Sequence, residues 1–324
     1  MAATEIGGYL ELEDCGGKPY HQASIALDSA RSCLAYLIEL RNIRSIALPD
    51  LMCSAVATAC DRSGCMRRTY EVGPGFLPVY NFKLSDDEWL YLSDYYGTLT
   101  PEAVNDALVF ANGRVIVDEV QAFFRKPWSD ADTIYTCRKF FGVPDGAYLT
   151  THDGAALERE LPLCRSRSRM LHVLGRAEDN ASEHYAEYST AEELIGADGP
   201  EAMSEVTRRL LSGVDFGRVK SLRERNFAVL AEILGPKNQL NIISTPDGPY
   251  MYPFLTSGAY DARIRLARRK IYIPTLWPNV LEECAEQTVA RRYAEEILPL
   301  PIDQRYDEKD MRALAEAVLE EIGS

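Results

Sequence analysis

Short β-branched and aromatic runs alternate with amphipathic, helix-spaced segments through the first half of the chain. The runs IRSIAL (43–48), MRRTYEV (66–72), WLYLSDYY (89–96), RVIVDEV (114–120) and TIYTC (133–137) predict strands. Between them, SARSCLAYLIEL (29–40) and SAVATACDRSG (54–64) carry apolar residues at helical spacing, the second closing on a glycine. Strand followed by helix, repeated, predicts a mainly parallel sheet with helices on its faces. AYLTTHD (147–153) follows TIYTC closely enough to be a returning strand.

Beyond it the pattern changes. Residues 154–200 predict mixed helix and loop, with basic CRSRSR at 164–169 and acidic EDNASEHYAEYSTAEE at 178–193, charge runs that read as solvated faces. Residues 201–235 form a long helical stretch broken near Gly213. From NQLNIIS (238–244) onward, PYMYPFLT, KIYIPTLWP and the helix EKDMRALAEAVLEEIG predict a smaller α+β unit. We therefore expect a large α/β domain over 1–212 and a linker helix with a small α+β domain over 213–324.

Composition narrows the function classes. The chain has 324 residues, 46% of them hydrophobic, enough for a large core. A formal charge of -14 argues against a partner bound through a nucleic-acid backbone, which a basic face would be needed to hold. The eight cysteines contain no CxxC pair and the four histidines are dispersed, so neither a disulfide scaffold nor a metal centre is expected. MAATEIGGYLELEDCGG has no basic start followed by an apolar run, and no apolar stretch reaches the roughly 18 residues of a membrane helix. The expectation is a reduced, cytoplasmic protein with no membrane and no nucleic-acid partner.

Ligands of open α/β sheets gather where parallel strands end at their carboxyl edge. Three features fall there. LDSAR (27–31) precedes a helix whose free N–H groups form an anion site, with Asp28 or Ser29 as the cap. Asp118 ends the apolar strand VIVDEVQAF, where a carboxylate needs a cation or donors and can keep a heterocyclic nitrogen protonated. Lys139 follows the strand carrying Thr136 and precedes FFGVPDG; an amine drawn out of water there becomes a nucleophile toward aldehydes. Arg138 is its neighbour, and strand alternation would point it elsewhere. A phosphate-binding helix start, an acid for a pyridine nitrogen and a lysine for a Schiff base are together the parts that hold pyridoxal phosphate.

These residues resemble the DegT/StrS-type aminotransferases, pyridoxal-phosphate enzymes of fold type I that mostly aminate keto-sugars attached to nucleotides. The likeness runs in order through GGYLELE, LDSARSCL, PDLMCSAV, SDYYG, VDEVQAF, TCRKFFGVPDGAYL, IYIPTLWP and LPLPIDQRY. It implies a seven-stranded, mainly parallel sheet, a homodimer, and an amino donor, glutamate or glutamine, paired with a carbonyl acceptor. Carried across, Lys139 bonds the cofactor, Asp118 pairs with the pyridine nitrogen, Val120 packs on the ring, Gln121 lies beside it and Thr136 touches the phosphate. Ser29, Ala30 and Arg31 occupy the phosphate-binding helix start, with Arg31 where relatives carry a hydroxyl. Cys53 stands where many relatives stack an aromatic on the ring.

Asp94, Tyr95 and Tyr96 of SDYYG face the substrate or pack. Arg165, Arg167, Arg223 and Arg225 are equal candidates for the donor carboxylate, and residues 154–200 are the expected dimer contact. Two other functions remain: a dehydratase on the same cofactor, whose relatives replace the lysine, and a noncatalytic binding protein that retains the fold.

Overall fold

The computed structural model describes residues 6–195, 199–241 and 245–323. Its strands are β1 (Ile25–Leu27), β2 (Ser45–Pro49), β3 (Met66–Tyr70), β4 (Glu88–Ser93), β5 (Val115–Asp118), β6 (Asp132–Thr136), β7 (Ala147–Thr150), β8 (Met251–Leu255) and β9 (Ile297–Pro301). The helices are α1 (Ala30–Leu40), α2 (Ser54–Arg62), α3 (Pro101–Phe110), α4 (Leu171–Glu178), α5 (Tyr185–Leu194), α6 (Glu205–Ser212), α7 (Phe216–Leu234), α8 (Ala259–Arg268), α9 (Val280–Glu283), α10 (Val289–Glu296) and α11 (Glu308–Ile322).

Seven strands form one sheet in the order β1-β7-β6-β5-β4-β2-β3. β3, β2, β4, β5 and β6 pair in parallel. β7 is antiparallel to both β6 and β1, so β1 runs with the parallel set. Six strands thus deliver their carboxyl ends to one edge. The mainly parallel α/β architecture expected from the alternating pattern, and the seven strands that the resemblance implied, are observed.

Alternation along β5 decides what that edge displays. Val115 and Val117 pack into one core with Leu90, Leu92 and Ala47, while Ile116 packs into the opposite core with Tyr91, Ile134 and Cys33. Asp118 continues the Ile116 face, toward α1, and pairs in register with Ser93 of β4. Its neighbour Glu119 is fully buried, with Oε1 accepting from Trp128 Nε1 at 2.6 Å. Burial, then the charge of Asp94, hold its carboxyl well above the ordinary range, and Arg125 lies 3.5 Å from Asp94. The two acids of VDEV are therefore divided by the pleat into one at the edge above α1 and one in a structural network.

The second sheet pairs β8 with β9 antiparallel. Its core is built with α7, α8 and α11 from Phe227, Leu230, Tyr252, Phe254, Leu266 and Val318. Trp277, Val280 and Tyr293 pack instead into the core under β4 and β5. The C-terminal part of the chain therefore also covers the Val115–Val117 face of the large sheet.

Several local expectations are refined. Three-residue β1 carries too short an apolar run to register as a strand, and α3 begins at Thr100-Pro101, a capped start with Pro at its first position. The segment 270–277 is irregular, with Lys270 at φ 61°, and makes no strand. NQLNIIS is non-strand over 238–241, and 242–244 lie outside the described residues. The break near Gly213 is present: α6 ends there and Asp215 caps α7.

Candidate active site

The sheet edge gathers Asp28 and Ser29 after β1, Cys53 after β2, Asp94 after β4, Asp118 at the end of β5 and Lys139 three residues after β6. Ser29 is the cap of α1: its Oγ accepts from Ser32 N at 3.2 Å. Ala30 and Arg31 form the first turn, where helix N–H groups favour an anion.

Lys139 sits on a turn, not on a strand. Phe140 N and Phe141 N both donate to Cys137 O, at 3.0 and 2.9 Å, folding the chain just past Thr136. The turn is pinned from both sides. Asp145 is buried and accepts from Ser204 N at 2.8 Å and from Ser204 Oγ at 2.6 Å. Gly146 has φ +116°, and a Cβ there would lie 2.9 Å from Thr207 Cγ2 and 3.3 Å from Cys137 Cβ, so only glycine fits. Its N–H donates to Asp28 O at 2.5 Å, which ties the lysine turn to the start of α1.

From the other side comes Arg223, 1% exposed. Its guanidinium donates to Pro249 O and Tyr250 O, each at 3.1 Å, and to Phe140 O at 3.4 Å, while Gln304 Nε2 donates to Phe140 O at 2.8 Å. Burial lowers the Arg223 pKa to about 10. A guanidinium with these acceptors is committed to joining the small sheet to the lysine turn and is not free to take a substrate carboxylate. Arg225 is likewise held by Asn226 Oδ1 and Tyr306 O, and Arg165 and Arg167 are exposed.

Lys139 Nζ lies 5.5 Å from the centroid of the Tyr250 ring. Burial lowers its pKa, and among charged neighbours Asp118 opposes this most. Reciprocally, burial raises the pKa of Asp118 and Lys139 is its strongest counter-charge, followed by the Val120 amide at 3.0 Å and the Tyr91 hydroxyl. The two groups act on each other as charges and not as a hydrogen-bonded pair. Cys53 is within electrostatic reach of Lys139. It begins α2 without a side-chain cap bond.

The remaining expected residues are brought to the same edge in differing roles. Thr136 Oγ makes a long 3.5 Å bond to Gly146 O. Val120 is half-buried and packs on the α1 side of the sheet. Gln121 Oε1 accepts from Tyr96 N at 2.9 Å, steadying a residue at φ 58°. Tyr95 and Tyr96 are buried, and Tyr95 OH donates to Leu51 O at 2.6 Å, so both pack beneath the edge.

Arg138 departs from expectation. Because β6 ends at Thr136, strand alternation no longer governs position 138, and its guanidinium pairs with Glu192 of α5, whose charge also acts on Lys139. Arg31 meets the same carboxylate at 3.8 Å and donates to Ile195 O at 2.7 Å. Glu192 thus bridges two arginines beside the first turn of α1. Arg138 Nε is buried with no acceptor. Glu192 and Tyr250 have no signature in the sequence: one lies in an acidic run that reads as solvated, the other in a strand-like segment more than 100 positions from Lys139.

No protein-family model matches the chain, and neither does any curated protein. Solved structures do. An aminotransferase TlmJ from Streptoalloteichus hindustanus superposes with a TM-score of 0.65 at 15% identity, covering 95% of this chain and 92% of that one. The putative sugar aminotransferase Spr1654 from Streptococcus pneumoniae, in its PLP form, gives 0.64 at 11% identity over 93% and 87%. The sugar aminotransferase CalS13 from Micromonospora echinospora gives 0.64 at 13% identity over 92% and 87%. The chain therefore has the fold of these aminotransferases along nearly its whole length.

Proposed function

We propose that this chain is a pyridoxal-phosphate-dependent aminotransferase of the DegT/StrS type. It moves an amino group from an amino-acid donor, glutamate or glutamine, to a carbonyl acceptor of the keto-sugar class. The observation that carries this reading is the placement of Lys139 and Asp118 at the carboxyl ends of neighbouring strands, each the strongest opposing charge to the other in a buried setting.

The residues present fit the cofactor. The first turn of α1, Arg31 and the unpaired Nε of Arg138 form a basic, donor-rich corner suited to a phosphate. Asp118 suits a pyridine nitrogen. When bound, pyridoxal phosphate supplies an aldehyde that condenses with amines and a ring that accepts electrons from the substrate carbon. Lys139, its pKa lowered by burial, presents its free amine more readily than an ordinary lysine, first as nucleophile and then as the base that takes the α-proton of the donor. Asp118, buried and hydrogen-bonded by the Val120 amide, holds a proton on the pyridine nitrogen. Tyr250 and Cys53 border the lysine. The retained Lys139 supports transamination over dehydration, and over a binding protein without catalysis.

Incubating purified holoprotein with glutamate alone tests the proposal. Conversion of the absorbance to that of the pyridoxamine form, with release of the matching keto acid, is the expected result; an unchanged spectrum with both glutamate and glutamine overturns the aminotransferase assignment.

Glu192 sets the strength of cofactor binding, since its carboxylate occupies the guanidiniums that a phosphate would use. Glu192→Gln is expected to tighten pyridoxal phosphate about tenfold, roughly 1.4 kcal/mol, in a spectral titration. Unchanged or weaker binding removes this competition from the account.

A homodimer is part of the proposal. Leu171, Leu174, Tyr185, Tyr188 and Leu194 on α4 and α5 are exposed, an apolar surface on the side where a second copy is expected. Sedimentation at the mass of two chains is the matching observation, and an active monomer would contradict it.

A further inference from the structure

Among the described residues, two groups of three side chains bring metal-ligating atoms within 4.8 Å of one another. In one, Asp132, His152 and Asp153, the charge is already met: Arg41 donates to both Asp132 oxygens at 2.9 Å and to Asp153 at 2.7 and 2.8 Å. In the other, Asp28, Cys164 and Glu201, no cation bonds the carboxylates; the Ser32 hydroxyl reaches Asp28, and the Cys164 thiol reaches Glu201.

It is assembled by three short extended segments. Asp28 N donates to Glu201 O at 3.0 Å, Ala202 N to Pro162 O at 2.8 Å, and Cys164 N to Ala202 O at 2.9 Å. Leu27 and Leu163 both bridge to Ala202, one antiparallel and one parallel. The side chains of three residues far apart in sequence therefore meet just beyond β1. Asp28 is 1% exposed and Cys164 2%, and Asp28 Oδ1 is buried with no hydrogen-bond partner. Arg169 places Nη1 3.7 Å from Cys164 Sγ, on the sulfur. Burial pushes the Asp28 carboxyl upward, a hydrogen bond with Ser32 opposes this, and Glu201 and Asp145 add negative charge around it. Asp28, with one buried oxygen lacking a partner and a thiol and a second carboxylate beside it, needs a proton or a cation.

We propose that Asp28, Cys164 and Glu201 form a zinc site, with water in the fourth position on the half-exposed Glu201 side. Sulfur and a small donor count favour zinc over calcium or magnesium, which take more oxygen ligands or demand octahedral geometry. Tetrahedral bonds of about 2.3 Å to sulfur and about 2.0–2.2 Å to oxygen set ligand atoms about 3.5 Å apart, so atoms now within 4.8 Å of one another close on the ion by side-chain movements of up to about 1 Å. On binding, the Cys164 thiol gives its proton to solvent and the ion bridges thiolate and carboxylates. The metal staples segments 162–164 and 201–203 to the residue just ahead of the α1 cap. The expectation from sequence, framed on histidines and CxxC spacing, could not register ligands 37 to 173 positions apart.

The test is metal content and zinc titration of the protein as purified and after dialysis against a chelator. One zinc per chain is expected in the wild type, with binding about hundredfold weaker in Cys164→Ser and in Asp28→Asn and unchanged in His152→Asn, which belongs to the other group. Cobalt(II) replacing zinc is expected to show long-wavelength tetrahedral bands that Cys164→Ser abolishes. Absence of stoichiometric zinc uptake by the wild type, or equal uptake by Cys164→Ser, overturns the site in favour of a protonated carboxyl. Should Asp28→Asn fail to fold, Cys164→Ser together with the cobalt spectrum decides alone. None of these readouts depends on aminotransferase activity, so the zinc site and the proposed function stand or fall separately.

Discussion

Lys139→Ala is expected to fold and to lose both turnover and covalent retention of pyridoxal phosphate. The ammonium contributes little to stability: no hydrogen bond holds it, its contact with Tyr250 is a 5.5 Å cation–π approach, and burial already disfavours its charge. Its loss removes the nucleophile outright and, with it, a general base that is worth on the order of 10²–10⁴-fold by itself. Borohydride reduction followed by peptide mapping checks the first effect, leaving the coenzyme on the peptide carrying position 139 in the wild type and on none in the variant. Steady-state rates check the second. The attachment step also carries a pH signature. Burial lowers the pKa of Lys139, so the fraction of free amine, and the rate of attachment, rises with pH through a midpoint below that of an ordinary lysine, about 10.4. A normal rate in Lys139→Ala, or trapping at another lysine, refutes the assignment.

Asp118→Asn is expected to retain the fold and lose at least about 10²-fold in kcat, equivalent to about 2.7 kcal/mol. The substitution is nearly isosteric and an amide oxygen still accepts from Val120 N. It removes the charge that would hold the pyridine nitrogen protonated, an interaction of the charge-assisted class. The same change has a second readout. Because Asp118 raises the pKa of Lys139, its neutralisation lowers that pKa further, so the midpoint for cofactor attachment moves to lower pH in the variant. An Asp118 that only shaped the edge would leave kcat where it was, while the midpoint would still move. Unchanged kinetics would remove Asp118 from the mechanism.

The consequences of Lys139 and Asp118 were legible because each lies at the end of a short apolar run whose period and length announce a strand. Parallel strands share a direction, and two consecutive ends then meet at one edge. The role of Arg138 was misread for the complementary reason: alternation applies only inside a ladder, and the turn at Cys137–Phe141 begins one residue before it. Arg223 looked like a candidate for a substrate carboxylate because a sequence does not show which guanidiniums are already spent. Its acceptors, Phe140 O, Pro249 O, Tyr250 O and Gln304, lie 26 to 83 positions away.

Read alone, the sequence determined the order and type of most elements of the large sheet, the α1 cap region, and the two residues on which the proposed chemistry rests. These follow from period-2 and period-3.6 patterns and from capping, all of which act over a few residues. Only the tertiary structure decided that Glu192 bridges Arg31 and Arg138, that Tyr250 lies under Lys139, and that Asp28 meets Cys164 and Glu201. Those contacts close loops of about 50 to 170 residues and are set by how helices and edge segments pack against the finished sheet. No local pattern in the chain carries that information.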